Sequence, residues 1–223
     1  MNQVKKIIIL GSAGNCIDIL DTINDINAVS QKPKYECIGF LDDNKDNWGK
    51  VFHGVKVLGP LDSAQRYPHA YFVNGIGSEF NFWKKDSIIA KTNVLLDRFE
   101  SIFHPTASIS KMSSIGFGTV VLQNVTIASN VKIGNHVIIL PNTIISHDDI
   151  IGDYTCITGG VCISGSVKIG KSCYLGTNSS IRSNITIGDY CLIGMGSVVL
   201  HDVEKNSVLV GNPAKFLRNT INE

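Results

Sequence analysis

The chain has 223 residues, of which 43% are hydrophobic and 17% charged, with a formal net charge of +1. That length buries one large core or two modest ones. Without a basic stripe, a polybasic patch or a run of about 20 apolar residues, the chain is not expected to bind nucleic acid, to adhere to anionic membrane or to insert into a bilayer. The opening "MNQVKKIIIL" sets two lysines before only four apolar residues, too few for a signal-peptide core. The six cysteines form no CxxC pair, so reduced thiols and a cytoplasmic location are expected.

The first hundred residues alternate strand-like and helix-like pieces. "KKIIIL" (Lys5 to Leu10) reads as a buried strand, and Gly11-Ser12-Ala13-Gly14 as a tight turn. "NCIDILDTINDI" then places Cys16, Ile19, Leu20, Ile23 and Ile26 at helical spacing. A second strand, "YECIGFLDDN", ends in Asp42 and Asp43; "YFVNGIGS" (Tyr71 to Ser78) is a third, and "SIIAKTNVLLDRF" reads as a helix. This is a Rossmann-like βαβ unit with an open parallel sheet. It is small for a dinucleotide-binding domain, and its glycine turn lacks the GxGxxG fingerprint, which argues against an NAD(P)-dependent oxidoreductase. The turn still resembles a phosphate-cradling loop at a helix N-terminus. Asp42 and Asp43 end a strand where ribose-binding acids sit in dinucleotide folds, or else are solvated turn acids. Gly75 and Gly77 would let a substrate approach the third strand closely.

The second half keeps a strict period. From Ile109 to Val199, every sixth residue is Ile, Leu or Val, and two positions earlier the residue is small or β-branched, with Asp149 the one charged exception. Residues i and i−2 of a short strand face the same side, so each hexad sends two side chains inward. Three hexads make a triangular coil, and stacked coils make a parallel β-helix of about five turns. Glycines at 116, 134, 152, 170 and 188 recur every eighteen residues and are expected at corners needing positive φ, as are the asparagines in "QNVTIASN" and "LPNTI". Residues 1–103, 104–211 and 212–223 are expected to be the βαβ domain, the β-helix and an extension leaving the prism at Pro213.

"IIILGSAGN", "GFLDDN", "FHPTASIS", "ILPNTIISHDDIIGDY", "VKIGKSCYLGTNSSI" and "VGNPAK" together resemble the hexapeptide-repeat sugar O-acyltransferase and nucleotide-amino-sugar N-acetyltransferase family of bacterial glycan pathways such as lipopolysaccharide O-antigen synthesis. The resemblance implies a left-handed β-helix and a homotrimer with active sites between subunits. It implies direct acetyl transfer from acetyl-CoA to a nucleotide-linked amino sugar, with no metal. Gly165, Thr177, Met195 and Lys215 match positions along the acetyl-CoA path. Gly11, Ser12, Gly14, Asp42, Asp43 and Gly75 match the end that holds the sugar nucleotide.

Within the repeat, "SHDDI" breaks the local rule, which marks candidate functional sites. His147 reads as a polar turn residue or as a general base; the resemblance implies the base, with Asp148 assisting it. Acetyl transfer requires a group with a pKa near neutrality to take the nucleophile's proton, a carboxylate to hold its tautomer and a donor for the oxyanion. Gly165 matches a position whose amide serves the acetyl group, and is also a turn glycine. Asp149 competes with Asp148 as the partner of His147. Two departures stand out: family members commonly have histidine where Asn15 stands, and some have a second histidine where Cys156 stands. Cys156, one residue before Ile157, points out of the prism with no activating neighbour in sequence and reads as structural; Cys173 and Cys191 fall in inward slots. His104 reads as structural at the β-helix entry, and His136 with His147 as a minor metal alternative. The competing functions are O-acetylation of a sugar of the sialic acid type and a non-catalytic sugar-nucleotide-binding solenoid.

Overall fold

In the computed structural model, which describes residues 4–221, the strand β1 (Lys5–Leu10) is central in its sheet. Its alternation decides both layers. Ile7 and Ile9 face α1 (Asn15–Val29), meeting Cys16, Ile19, Leu20, Ile23 and Ile26. Ile8 and Leu10 face the opposite core with Leu61, Phe72, Ile89 and Phe99. β2 (Tyr35–Leu41) and β5 (Tyr71–Asn74) flank β1 in parallel. The sequence reading missed a hairpin, β3 (Val51–Phe52) and β4 (Val55–Gly59), that adds the outer edge. Its two-residue turn, His53-Gly54, has φ of 48° and 81°, the left-handed pair that tight hairpins demand.

The helix expected from Ser87 to Phe99 is shorter. α2 (Lys85–Ala90) stops early. Thr92 Oγ1 donates to the Ile89 carbonyl at 2.8 Å, and Asn93 takes φ of 51°. A side chain that competes for helix carbonyls, followed by a left-handed residue, ends the helix despite the apolar spacing beyond it. One 3-10 turn, Leu96–Arg98, follows.

The prism has three faces of two-residue strands. Face one runs through Val120–Val121, Ile138–Ile139, Cys156–Ile157, Tyr174–Leu175 and Leu192–Ile193. Face two includes Ile144–Ile145 and Cys162–Ile163, and face three Ile150–Ile151 and Lys168–Ile169. Every pairing among these two-residue strands is parallel and joins residues eighteen apart, for example Ile145 with Ile163. The inward aliphatics form one column in which Ile139, Ile145, Ile157, Leu175, Ile187 and Ile193 are wholly buried. Cys173 and Cys191 sit in that column.

The corners differ from expectation. Positive φ does recur every six residues, but three places after each aliphatic: Asn124, Asn130, His136, Asn142, Asp148, Tyr154 and onward. The asparagines stand where expected. The glycines directly after the aliphatic do not take positive φ. They are required by stacking: a Cβ on Gly152 would lie 2.5 Å from the Gly170 carbonyl carbon, and one on Gly116 2.6 Å from that of Gly134.

The prism begins earlier than residue 104, because Ile102–Phe103 already pairs with Val120–Val121. The C-terminal segment does not leave it. Ser207–Val210 joins face one, and Lys215–Asn219 folds back antiparallel upon it. The βαβ domain rests on face one, sharing a core with Ile102, Val120, Leu122 and Ile138. His104 bonds Asp25 of α1 through Nε2 at 2.8 Å and Thr106 through Nδ1 at 2.8 Å, a structural clamp at the entry.

Gly152→Ala is expected to cost roughly 1–3 kcal/mol by overpacking, lowering Tm by several degrees. Asn142→Gly, at a left-handed corner, should change Tm little. Thermal denaturation followed by circular dichroism checks both.

Candidate active site

The carboxyl ends of β1, β2 and β5 open into a cleft of about 610 Å³ between the βαβ domain and face one. A crevice outside the carboxyl ends of parallel strands is the ligand position in open α/β sheets. Gly11, Ser12, Gly14, Asp42, Asp43 and Gly75 all line it, so the structure brings the six expected sugar-nucleotide residues together. The Ser12 hydroxyl donates to Asp42 Oδ2, which also accepts from Asn47 Nδ2 at 3.5 Å. Asp42 Oδ1 accepts the Asn44 N–H at 2.8 Å. Asp43 Oδ1 accepts the Leu61 N–H at 3.0 Å, and its Oδ2 pairs with Lys91 at 2.7 Å. Partial burial pushes the Asp43 carboxyl up, but the Lys91 and Leu61 hydrogen bonds outweigh it and hold the group below its usual range. Neither acid is a free turn carboxylate.

Gly11, Gly75 and Gly77 of the cleft are also closely packed. Gly11 has φ of 92°, and a Cβ there would lie 2.6 Å from Cys16 Sγ; one on Gly75 would lie 2.5 Å from the same sulfur. The space beside these glycines is filled by Cys16. A Cβ on Gly77 would lie 2.6 Å from Cys156 Sγ. Asn15, in place of the family histidine, opens α1 and donates from Nδ2 to the Gly77 carbonyl at 3.4 Å.

His147 and Asp148 form the corner between faces two and three. Asp148 holds the left-handed slot with φ of 62°, a backbone that aspartate and asparagine tolerate. Its Oδ2 lies 2.8 Å from His147 Nδ1, and its Oδ1 accepts from Asn130 Nδ2 one coil earlier at 3.2 Å. These two bonds lower the Asp148 pKa. An ionised carboxylate only accepts, so Nδ1 donates and Nε2 is the ring nitrogen left facing away from the acid. The ring lies over Gly165, where a Cβ would come 2.7 Å from Nε2.

One chain does not join these two sites. The cleft lies against face one, whereas the His147 corner is on the opposite edge of the prism. Nor are the expected acetyl-CoA residues together. Gly165 shares the His147 edge, while Thr177 and Met195 lie on the edge between faces one and two. Thr177 Oγ1 donates to Thr158 Oγ1 at 3.3 Å, and Met195 is 76% exposed. Lys215 is exposed at the start of the last strand. His136 is on the third edge, away from His147, stacked on Tyr154 and edge-on to Phe99. Burial, aided by the charge of Lys85, pushes it down to about 4.

The sequence reading missed Lys91, Asn47 and Lys85. Lys85 is fully buried, with Nζ 3.5 Å from Cys156 Sγ. Cys156 does point out of the prism, but the βαβ domain covers it. No local pattern joins residues so far apart in the chain.

Residues 6–85 match the PglD N-terminal domain, and residues 166–201 match the bacterial transferase hexapeptide (six repeats). No curated protein matches the chain in sequence. Among solved structures, the acetyltransferase domain of PglB from Neisseria gonorrhoeae FA1090 superposes with a TM-score of 0.81 at 24% identity, covering 96% of this chain and 100% of that one. A second structure of that domain contains acetyl coenzyme A. PerB from Caulobacter crescentus, in complex with CoA and GDP-perosamine, gives 0.82 at 21% identity over 97% and 99% of the two chains. WeeI from Acinetobacter baumannii AYE gives 0.80 at 25% identity over 96% and 100%. The architecture is therefore shared over nearly the whole chain.

Asp149 is the last part of the corner. Its inward slot is filled elsewhere by small or β-branched residues, among them Thr119, Thr143 and Thr155. The hydroxyls of Thr119 and Thr155 each accept an N–H from the next coil, at 3.2 and 3.1 Å, and donate to a carbonyl, at 2.9 and 3.0 Å. Asp149 Oδ1 accepts the Val167 N–H at 2.8 Å, but Oδ2 has no partner among the described residues. Asp149 is fully buried and turned inward, so Asp148, not Asp149, holds His147. Burial raises the Asp149 pKa to about 7, against the Val167 and Ser146 amides and nearby His147. A raised carboxyl pKa favours the protonated fold, so stability is lost as pH rises from 3.8 toward about 7. Asp149→Thr should therefore be the more stable protein at about pH 8, by roughly 1–3 kcal/mol. The advantage should shrink toward about pH 4, as read by Tm across that range.

Proposed function

We propose that this chain, whose residues 6–85 match the PglD N-terminal domain and residues 166–201 the bacterial transferase hexapeptide, transfers the acetyl group of acetyl-CoA to the amine of a nucleotide-linked amino sugar. The observation that carries the reading is the His147 Nδ1 to Asp148 Oδ2 contact of 2.8 Å, which leaves Nε2 as a base on an exposed edge over Gly165. The solved relatives supply the substrate class: PerB is in complex with CoA and GDP-perosamine, and the PglB domain with acetyl coenzyme A.

In this mechanism the amine attacks the thioester carbonyl while His147 Nε2 takes its proton. Asp148 keeps the proton on Nδ1 and stabilises the imidazolium as it forms. The Gly165 N–H, which makes no backbone hydrogen bond among the described residues, serves as donor to the developing oxyanion. Collapse expels the CoA thiolate, and the imidazolium returns a proton to it. The sugar nucleotide sits in the cleft, its phosphates at the N-terminus of α1 and its polar end held by Ser12, Asp42 and Asp43. Thr177, Met195 and Lys215 line the route of CoA.

Because His147 and the cleft lie on opposite sides of one prism, the reading requires a homotrimer in which His147 of one chain meets the cleft of its neighbour. The exposed Ile144 and Ile150, which flank the corner at 46% and 41% exposure, are suited to burial in such an interface.

His147→Ala is expected to reduce turnover roughly 10²–10⁴-fold, with the trimer unchanged by sedimentation. The assay screens nucleotide-linked amino sugars with acetyl-CoA and follows release of the free CoA thiol. Unchanged turnover in the variant would refute the assigned base. Turnover only with hydroxyl sugars would convert the reading to O-acetylation.

A further inference from the structure

We propose that Cys156 is a covalent-modification site, a nucleophilic thiol on the floor of the cleft that the buried Lys85 activates toward small uncharged electrophiles. Three observations converge on it. Cys156 lines the cleft. Lys85 is fully buried, and Cys156 Sγ, 3.5 Å away, is its one side-chain hydrogen-bond partner among the described residues. No carboxylate lies within ion-pair distance of Lys85 among those residues.

A buried ammonium without a counter-charge is costly, and burial lowers the Lys85 pKa, an effect that Cys156 opposes. Two arrangements relieve the cost: an ammonium facing a thiolate, or an amine accepting the thiol proton. In the first the sulfur is already the nucleophile and the ammonium pairs with it; in the second the amine accepts the thiol proton across one hydrogen bond, the arrangement of an activated nucleophile. In attack on an α-halo amide, the S–C bond forms, the C–halogen bond breaks and halide leaves. The thiol proton ends on Lys85 Nζ. The other cleft cysteine, Cys16, lacks this partner; burial pushes it up to about 12, and it donates to the Leu10 carbonyl at 3.4 Å.

The consequence for turnover rests on the cleft being the acceptor site. Gly77 is packed so closely on Cys156 that a single added carbon would lie 2.6 Å from the sulfur. An adduct therefore displaces the Gly75 to Ser78 loop and fills the cleft floor.

The test is a time course of iodoacetamide labelling of the whole chain at about pH 7, read by peptide mass mapping. Cys156 is expected to label at least as fast as the exposed Cys162. In Lys85→Met, Cys156 labelling should slow about tenfold or more, with Cys162 unchanged. Cys156 left unlabelled after Cys162 is complete, or an unchanged rate in Lys85→Met, overturns the proposal. If that variant unfolds, labelling of the core Cys173 reveals it, and the wild-type order of Cys156 and Cys162 decides. Labelling of Cys156 without loss of acetyl transfer would support the activated thiol and count against the cleft as acceptor site.

Discussion

The stacking of one coil on the next, eighteen residues on and without slippage, is the constraint on which everything else depends. Each strand is two residues long and makes few hydrogen bonds, so register cannot come from any one pairing. It comes from the column of isoleucine, leucine and valine, where each wholly buried aliphatic contributes roughly 1.5–3 kcal/mol. A one-residue slip would turn that column to solvent. Glycine at 116, 134, 152, 170 and 188 lets adjacent corners close to van der Waals distance. With the period held, every corner repeats the same backbone, including a left-handed residue.

That repetition is what makes a functional corner possible. The left-handed slot is filled by Asn130, Asp148, Ser166 and Asn184 along one edge. Aspartate is among the few residues that both tolerate this backbone and polarise an imidazole. The residue before it is then exposed and rigidly based, which is where His147 stands. The coil above contributes Asn130 to Asp148, and the coil below contributes Gly165, whose missing side chain leaves room for the ring. Inward, Asp149 occupies the slot that Val131 and Val167 fill in the adjacent coils, and leaves one oxygen unpaired among the described residues. The same corner therefore carries a positioned pair outside and a destabilising acid inside.

The second dependency is the docking of the βαβ domain on face one. It turns strand termini that would otherwise be open to solvent into a cleft with a floor supplied by the prism. It also buries Lys85 against Cys156 and His136 against Tyr154. These groups have unusual surroundings because the βαβ domain and face one meet there, and not because of their sequence neighbours.

The hexad period by itself determined the prism, its core and the inward slot of Asp149, because inward and outward alternation is a local property of short strands. The βαβ order and the glycine turn likewise determined where a crevice opens. The helix end at Ala90 and the hairpin at His53-Gly54 escaped that reading, since a single side-chain bond or a pair of left-handed residues overrode the apolar pattern. Tertiary structure alone decided the rest. It chose Asp148 over Asp149 as the partner of His147, because one faces out of the column and the other into it. It packed Cys16 against both Gly11 and Gly75. It placed Lys85 on Cys156 and set His147 across the prism from the cleft. Each of these joins residues that only folding brings together or holds apart, and no local period encodes such a distance.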